Sequence, residues 1–588
     1  MKRAVLFCLL AAQMLPPFLH AQRHDFTLVF GYAGGNESPN DDTYGINVMT
    51  FGDGNVKLSD NQTIGMHFND THTSMSDSAG NLIFYYNGLY VENAAYQIME
   101  NGDSLNEYDA DNFGYGMPQG AVAIPYPGHS DQYILFHGTD DYFSNPQWSF
   151  QGIGLFYSVI DMKQNNGLGS VVERKKTLVI DTLTYGKLMA VRHANGRDWW
   201  LIVGESHTNR FYTVFIDPNG VHLLGTQAIG IRRKEGYGHA YFSPDGTKYA
   251  ICEGIDSNGP NWSYLYVYDF DRCTGQLSHQ KEVHLWQDVG VLGIAISPNS
   301  RYLYCAALDN LVQYDLSVSY IENSRTIVGV YDGWQDPFPA KFDKAFLAPD
   351  GKIYVVTSSG SRTLYVINDP DEPGLSCNFE QPGLRLPCRT ANTAPNFPNY
   401  RLGPLDGSSC DTLGLDNHPV AWWRSAQDTL AALKVAFHDL SYYEPTGWLW
   451  DFGDGKKSTE RHPMHSYDTA GVYQACLTVS NVMSSNTLCR KLYLGVISGV
   501  ENPVPEKSIR VFPNPATDYL SIESADAPAQ PMRLRCYDTQ GRLMQEQAHP
   551  RDVRSYTMDV SGLPVGYYLL EIGLDDGSRV VEKVVIVR

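Results

Sequence analysis

The chain has 588 residues and a formal net charge of −21 at pH 7. That length exceeds a single hydrophobic core, so about three domains are expected, and the acidic balance disfavours nucleic acid and anionic membrane as partners. Aromatic and β-branched residues are abundant, 53 glycines punctuate short apolar runs, and helical periodicity is scarce, so the chain reads as all-β.

Residues 1–21 read as a signal peptide. Lys2 and Arg3 precede an apolar stretch at 4–15, and Leu19-His20-Ala21 is a small-residue cleavage site. The stretch is too short to anchor in a bilayer, and no other segment reads as a transmembrane helix. Cleavage removes Cys8 and leaves nine of the ten cysteines. An oxidising route makes disulfides expected.

From 22 to 408 one pattern recurs: a short apolar strand, a tight turn, then a Tyr- or Val-rich strand. It is clearest in Ala240-Tyr241-Phe242-Ser243-Pro244-Asp245-Gly246, and returns as Ile294-Ala295-Ile296-Ser297-Pro298-Asn299 and Phe346-Leu347-Ala348-Pro349-Asp350-Gly351. Weaker copies precede these, and Pro395-Asn396-Phe397 is a last echo. A period of about fifty residues fits a four-stranded propeller blade. Asp-Gly supplies the positive φ of a two-residue hairpin. About seven blades are expected, with the N-terminal strands completing the last. Ser76-Asp77, Tyr157-Ser158-Val159-Ile160-Asp161 and Phe270-Asp271-Arg272-Cys273-Thr274-Gly275 carry a resemblance to a family of large, surface-located Bacteroidota propellers. The resemblance implies architecture and location, and no activity.

The chain has no nucleophile elbow, P-loop or HExxH, and no catalytic residue or metal ligand is assigned. Residues just before each innermost strand tend to reach the mouth of a propeller channel. Here these are His72, Gln119, Lys187, His239 and Lys344. Such a cluster could grip an anionic ligand, or its histidines a metal; the plainer reading is a set of rim residues lining a water-filled channel. Asp70, Asp141, Glu205, Glu253 and Asp343 are the carboxylates a glycosidase reading would draw on.

Trp450-Asp451-Phe452-Gly453-Asp454-Gly455, followed by His465-Ser466-Tyr467 and Gly471-Val472-Tyr473, resembles a polycystic-kidney-disease (PKD) domain, which implies a small immunoglobulin-like sandwich over 409–497. Asp451 and Asp454 read either as calcium ligands or, preferably, as turn formers. Calcium aside, no cofactor is expected. Cys476 and Cys489 flank a hairpin and are expected to pair, for about 3 kcal/mol. Cys536 is the expected free thiol.

A linker at 498–507 leads to Val511-Phe512-Pro513-Asn514-Pro515, then Tyr537-Asp538-Thr539-Gln540-Gly541 and Leu563-Pro564-Val565-Gly566-Tyr567-Tyr568. These motifs, with Pro513, Asn514, Pro515, Gly541, Gly566 and Tyr568 as their fixed points, resemble the type A C-terminal sorting domain of the Bacteroidota type IX secretion system. The resemblance implies a β-sandwich over 508–588, export through that machinery by way of the periplasm, and a secreted or outer-surface location. The resulting reading is a surface binding or adhesion protein whose propeller faces a glycan or protein ligand. The alternative is a propeller-based polysaccharide hydrolase or lyase; a weaker third reading is a structural component of gliding or biofilm matrix.

Overall fold

The computed structural model describes residues 22–587 apart from 33–43, 107–113, 141–150, 255–262, 286–289, 391–392, 429–430, 432, 495–508, 514–515, 525–532, 539–541, 549–554 and 574–578. The signal peptide and the linker at 498–507 lie outside the described residues. The chain divides into two compact units, Met1–Val496 and Ile497–Arg588.

In the first unit seven antiparallel sheets follow one another. The first two have three strands each, Thr27–Gly31, Ile46–Thr50 and Lys57–Asn61, then Thr73–Ser76, Leu82–Tyr86 and Val91–Asn93. The other five have four, and open with Ala121–Pro125, Met189–Arg192, Ala240–Phe242, Val291–Ile296 and Phe342–Leu347. From the second sheet to the seventh, each opening strand touches the next. The opening strands are buried nearly throughout, apart from the half-buried Tyr241 and Phe242. This is a β-propeller of seven sheets.

The ring closes where the two ends of the propeller meet. The first sheet packs against Phe379–Thr390, the last strand of the seventh. Asn47 Nδ2 donates to the Cys388 carbonyl at 3.1 Å, and the Cys388 N–H donates back to Asn47 Oδ1 at 2.9 Å. The N-terminal strands thus form a blade of their own beside the seventh sheet. The echo at Pro395-Asn396-Phe397 is not a regular strand. It runs among the inner strands, and one amide stitches them: Asn396 Nδ2 donates to the carbonyls of Ala121 (2.7 Å) and Leu188 (2.8 Å), while the Asn396 carbonyl accepts from Thr73 Oγ1 (2.8 Å).

The repeated turn is longer than the two-residue hairpin the Asp-Gly pair suggests. Ser243 N–H donates to the Lys248 carbonyl at 3.0 Å, so four residues lie between the partners. Asp245 Oδ1 accepts the Thr247 N–H at 2.9 Å, and only Gly246 takes a positive φ (+71°). An Asx-type bond closes the loop, which relieves Asp245 of any left-handed conformation.

Two further sheets in this unit form a sandwich. One joins Trp423–Gln427, Lys434–Asp439 and Met464–Ser466; the other joins Lys457–Ser458, Gly447–Asp451, Gly471–Ser480 and Ser485–Leu494. Trp423, Phe437, Trp450, Phe452 and Tyr467 fill it, each 3% exposed or less. It docks on the turns at the far ends of the opening strands. Arg424 donates to the carbonyls of Asp350 (2.9 Å) and Asn368 (3.0 Å). The guanidiniums of Arg23 (4.4 Å) and Arg490 (4.3 Å) both lie over the Trp422 ring. A disulfide, Cys273–Cys410, ties the propeller to the crossing segment. Cavities of about 210 and 170 Å³ remain at this junction.

The second unit is also two sheets. Ile509–Phe512, Tyr519–Ser524 and Ser555–Asp559 form one; Leu543–Ala548, Arg533–Tyr537, Gly566–Gly573 and Arg579–Ile586 form the other. Leu520, Ile522, Leu534, Met558, Leu570 and Ile586 fill its core with Cys536, a buried thiol.

Candidate functional site

The sandwich covers one end of the propeller, so the other end is where the five residues predicted at the channel mouth are found. His72 and His239 directly precede their inner strands, Gln119 and Lys187 come one residue earlier, and Lys344 lies inside Phe342–Leu347. None is a rim residue: their exposures run from 0 to 2%. Two causes pull them in. The axis is occupied by the 393–400 segment, and buried carboxylates hold the lysines.

Lys344 Nζ sits between Asp70 Oδ1 (2.8 Å) and Asp343 Oδ2 (3.0 Å). Lys187 Nζ meets Glu253 Oε2 (2.8 Å) and donates to the Gly236 carbonyl (2.8 Å). Lys187 and Gln119 both adopt positive φ, 60° and 48°, a conformation a non-glycine residue takes only when its surroundings impose it. Gln119 is a staple, accepting the Ala240 N–H at 2.7 Å and donating to Asn396 Oδ1 at 3.2 Å. Burial holds His72 down to about 4 and His239 well below the ordinary imidazole range, with Lys344 adding to both shifts. Both rings are neutral near pH 7. Burial also pushes Glu253 up to about 8 against the pull of Lys187.

Next to this layer lie further carboxylates and tyrosines. The Asp70 side chain is 11% exposed and accepts the Tyr237 hydroxyl at 2.6 Å. Asp140 accepts the Tyr115 hydroxyl at 2.8 Å. The Tyr185 hydroxyl donates to the Gly116 carbonyl at 3.1 Å. The charge of Asp70 acts on Tyr32, Tyr185 and Tyr237, whose phenols burial raises first and Asp70 raises further. Of the candidate carboxylates, Asp70, Glu253 and Asp343 thus converge on the axis. Glu205 lies farther out, paired with Arg210, and Asp141 is outside the described residues. The tyrosine collar carried no sequence signal, because 38 tyrosines are spread through the chain.

In the sandwich, the Trp450 indole donates to the Glu460 carbonyl at 3.1 Å. The Phe452 and His465 rings stack at 4.0 Å, His465 Nε2 lies 2.8 Å from Asp454 Oδ2, and the Tyr467 hydroxyl donates to the Phe452 carbonyl at 3.0 Å. Asp451 Oδ1 accepts the Gly453 N–H at 3.1 Å and pairs with Lys457. Asp454 Oδ1 accepts the Lys456 N–H at 3.0 Å. Both carboxylates accept backbone N–H bonds in turns. Gly453 and Gly455 take φ of +81° and +88°, and a Cβ on Gly453 would lie 2.6 Å from the Gln474 carbonyl oxygen. Cys476 and Cys489 face each other across the hairpin and form a disulfide. In the second unit Pro513 is exposed, Gly566 opens its strand and the buried Tyr568 donates to the Pro564 carbonyl at 2.8 Å. Asn514, Pro515 and Gly541 lie outside the described residues.

Comparison with known proteins agrees with two of these modules. The PKD domain model matches residues 419–494, and the secretion system C-terminal sorting domain model matches residues 510–587. A curated relative, beta-agarase D of Zobellia galactanivorans, is 37% identical over 82 residues, which are 14% of this chain and 16% of that protein. The chain thus spans about a sixth of the curated relative it matches. Among solved structures, the PKD1 domain of the Vibrio cholerae metalloprotease PrtV is 33% identical, covering 13% of this chain and 94% of that one, with a TM-score of 0.12. The periplasmic gluconolactonase of Pseudomonas aeruginosa is 12% identical, covering 68% of this chain and 96% of that one, with a TM-score of 0.23. Among the described residues no helix is long and apolar enough to cross a membrane. The chain carries a PKD domain and, after it, a type IX secretion sorting domain that directs it to the cell surface.

Proposed function

We propose that this secreted surface protein is a recognition module whose propeller binds an extracellular glycan or protein through the end opposite the PKD domain. The observation that carries this reading is the asymmetry of the propeller. One end is covered by the PKD domain, through Arg424, the cation–π contacts of Trp422 and Cys273–Cys410. At the other end Asp70, its side chain 11% exposed, accepts the Tyr237 hydroxyl. The PKD domain, docked this way, braces the propeller and leaves the opposite end to the ligand.

The hydrolase or lyase reading has one point in its favour, the convergence of Asp70, Glu253 and Asp343. Against it, all three are held by lysines, which suits a fixed network better than an acid and base poised on substrate. The similarity to a beta-agarase covers 82 residues, the length of one small domain, and adds little to a propeller-centred activity.

Binding of the secreted protein to glycan and peptide arrays, with parallel assays for released reducing ends, tests the reading. Saturable binding without turnover, blocked by substitution around Asp70 and unaffected by substitution in the PKD domain, is the expected result. Turnover, or binding that maps to the PKD domain alone, overturns it.

A further inference from the structure

We infer that the seam between the propeller and the PKD domain is a ligand site of its own, which takes an uncharged sugar unit. This goes beyond the recognition reading and does not depend on it.

The site is the pair of cavities at the junction, of about 210 and 170 Å³. Pro298, Gly351, Asp439, Leu440 and Arg461 line both, so the two form one cleft. At about 30 Å³ per water, they have the room of about seven and about six waters. That suits a small molecule and excludes a folded partner. Seams between domains are where such sites are commonly built.

The repeat that marks the propeller in the sequence supplies one wall. Its proline recurs as Pro244, Pro298 and Pro349, and all three line the larger cavity. Phe397 adds a ring from the axial segment, and Leu440 comes from the PKD side. Pro244, Pro298 and Leu440 stay half-buried. A sugar ring presents C–H faces to apolar surfaces of this kind, with its hydroxyls around the edge.

The polar groups of the larger cavity come as matched charges. Arg401 engages both carboxylate oxygens of Asp25, and Arg461 Nε donates to Asp439 Oδ2 at 2.9 Å. A guanidinium only donates and a carboxylate only accepts, so each pair offers both functions side by side at no net charge. A sugar hydroxyl uses both. The Arg461 side chain is half exposed, and among the described residues its two terminal nitrogens form no hydrogen bond. Farther along the cleft, His462 Nδ1 accepts the Asp439 N–H at 3.1 Å, and the His438 ring lies 5.9 Å from that of His462. Burial lowers both imidazoles, His438 to about 3, with Arg424 adding to each shift. Both rings are neutral near pH 7. An anion would meet Asp369, Asp371 and Glu372 in the smaller cavity, and an apolar side chain would cover the charge pairs without answering their hydrogen bonds.

The test is titration of the full secreted chain with glucose, galactose and N-acetylglucosamine, read by calorimetry and by melting temperature. Glucuronate, glucosamine and acetylated, amidated Gly-Leu-Gly serve as comparison probes. At least one neutral sugar is expected to bind and to raise the melting temperature. Leu440→Trp fills the cleft and is expected to abolish binding. Arg461→Met removes one charged hydrogen-bond donor and is expected to weaken binding by about tenfold. Melts without sugar establish that each variant is folded; Arg461, half exposed, carries the test if the tryptophan is not accommodated. Failure of all three sugars to bind, tighter binding of glucuronate, glucosamine or the peptide, or sugar binding that Arg461→Met leaves unchanged overturns the inference. None of these results touches the recognition reading, which falls instead if the array ligand is lost in both variants.

Discussion

Lys187 and Glu253 meet at 2.8 Å near the propeller axis with each side chain 1% exposed. Removing one partner of such a pair strands the other. Above about pH 8, where Glu253 is ionised, Lys187→Met is therefore expected to destabilise the first unit by about 3–5 kcal/mol in urea unfolding, and the double variant Lys187→Met/Glu253→Leu to recover much of that loss. A double variant no more stable than the single one would show that the pair is more than a matched burial.

Glu253 also sets a pH dependence. Burial raises its carboxyl from the ordinary 4.5 to about 8, against the pull of Lys187. Between these values the folded state holds the extra proton, so stability falls as pH rises from about 5 to about 8, at up to about 1.4 kcal/mol per pH unit. Glu253→Gln should flatten this slope in unfolding curves taken across that range.

His72 acts in the opposite direction. Burial lowers it from 6.5 to about 4, so the unfolded chain binds the extra proton between those values. Stability is then lost as pH falls from about 6.5 toward 4, at about 1.4 kcal/mol per pH unit. Replacement of His72 by Gln should remove that share of acid sensitivity, whatever it costs at neutral pH.

The turn glycine of the clearest repeat tests the fold. Gly246 has φ +71°, and a Cβ there would lie 2.7 Å from Arg272 Cδ and 2.9 Å from Leu402 Cδ2. Arg272 itself bonds the Arg192 carbonyl, so it yields little. Gly246→Ala is expected to cost about 1–2 kcal/mol, read as a lowered melting temperature with unchanged secondary structure.

Deletion of residues 510–587 tests the address. The sorting domain match leads to the expectation that the truncated chain accumulates in the periplasm and is lost from the surface and medium. Fractionation that finds it displayed as before would sever the link between this domain and export.

The modules with local signatures were legible in the sequence. The string from Trp450 to Gly455 needs its glycines for positive φ and its aromatics for one core, and both demands are met within a few residues. Cys476 and Cys489 could be paired because their hairpin is symmetric about its turn. The axis was legible only in part. Position relative to each inner strand brought out His72, Lys187, His239 and Lys344, but their burial depends on carboxylates from other blades. Asp70 and Lys344 are separated by most of the propeller sequence. Asn396, which stitches three neighbouring segments, looked like a fading repeat because its work is done by a side-chain amide rather than a strand. Cys273 and Cys410, 137 residues apart, meet only once the crossing segment is in place.

The mutual bonds of Asn47 and Cys388 span 341 residues of sequence. A chain that emerges N-terminus first therefore presents its first sheet long before its neighbour exists. Until then the side of that sheet that packs against Phe379–Thr390 in the finished ring is uncovered. Completion of the ring is the late event in this protein's maturation, and the interval before it is when misassembly threatens most.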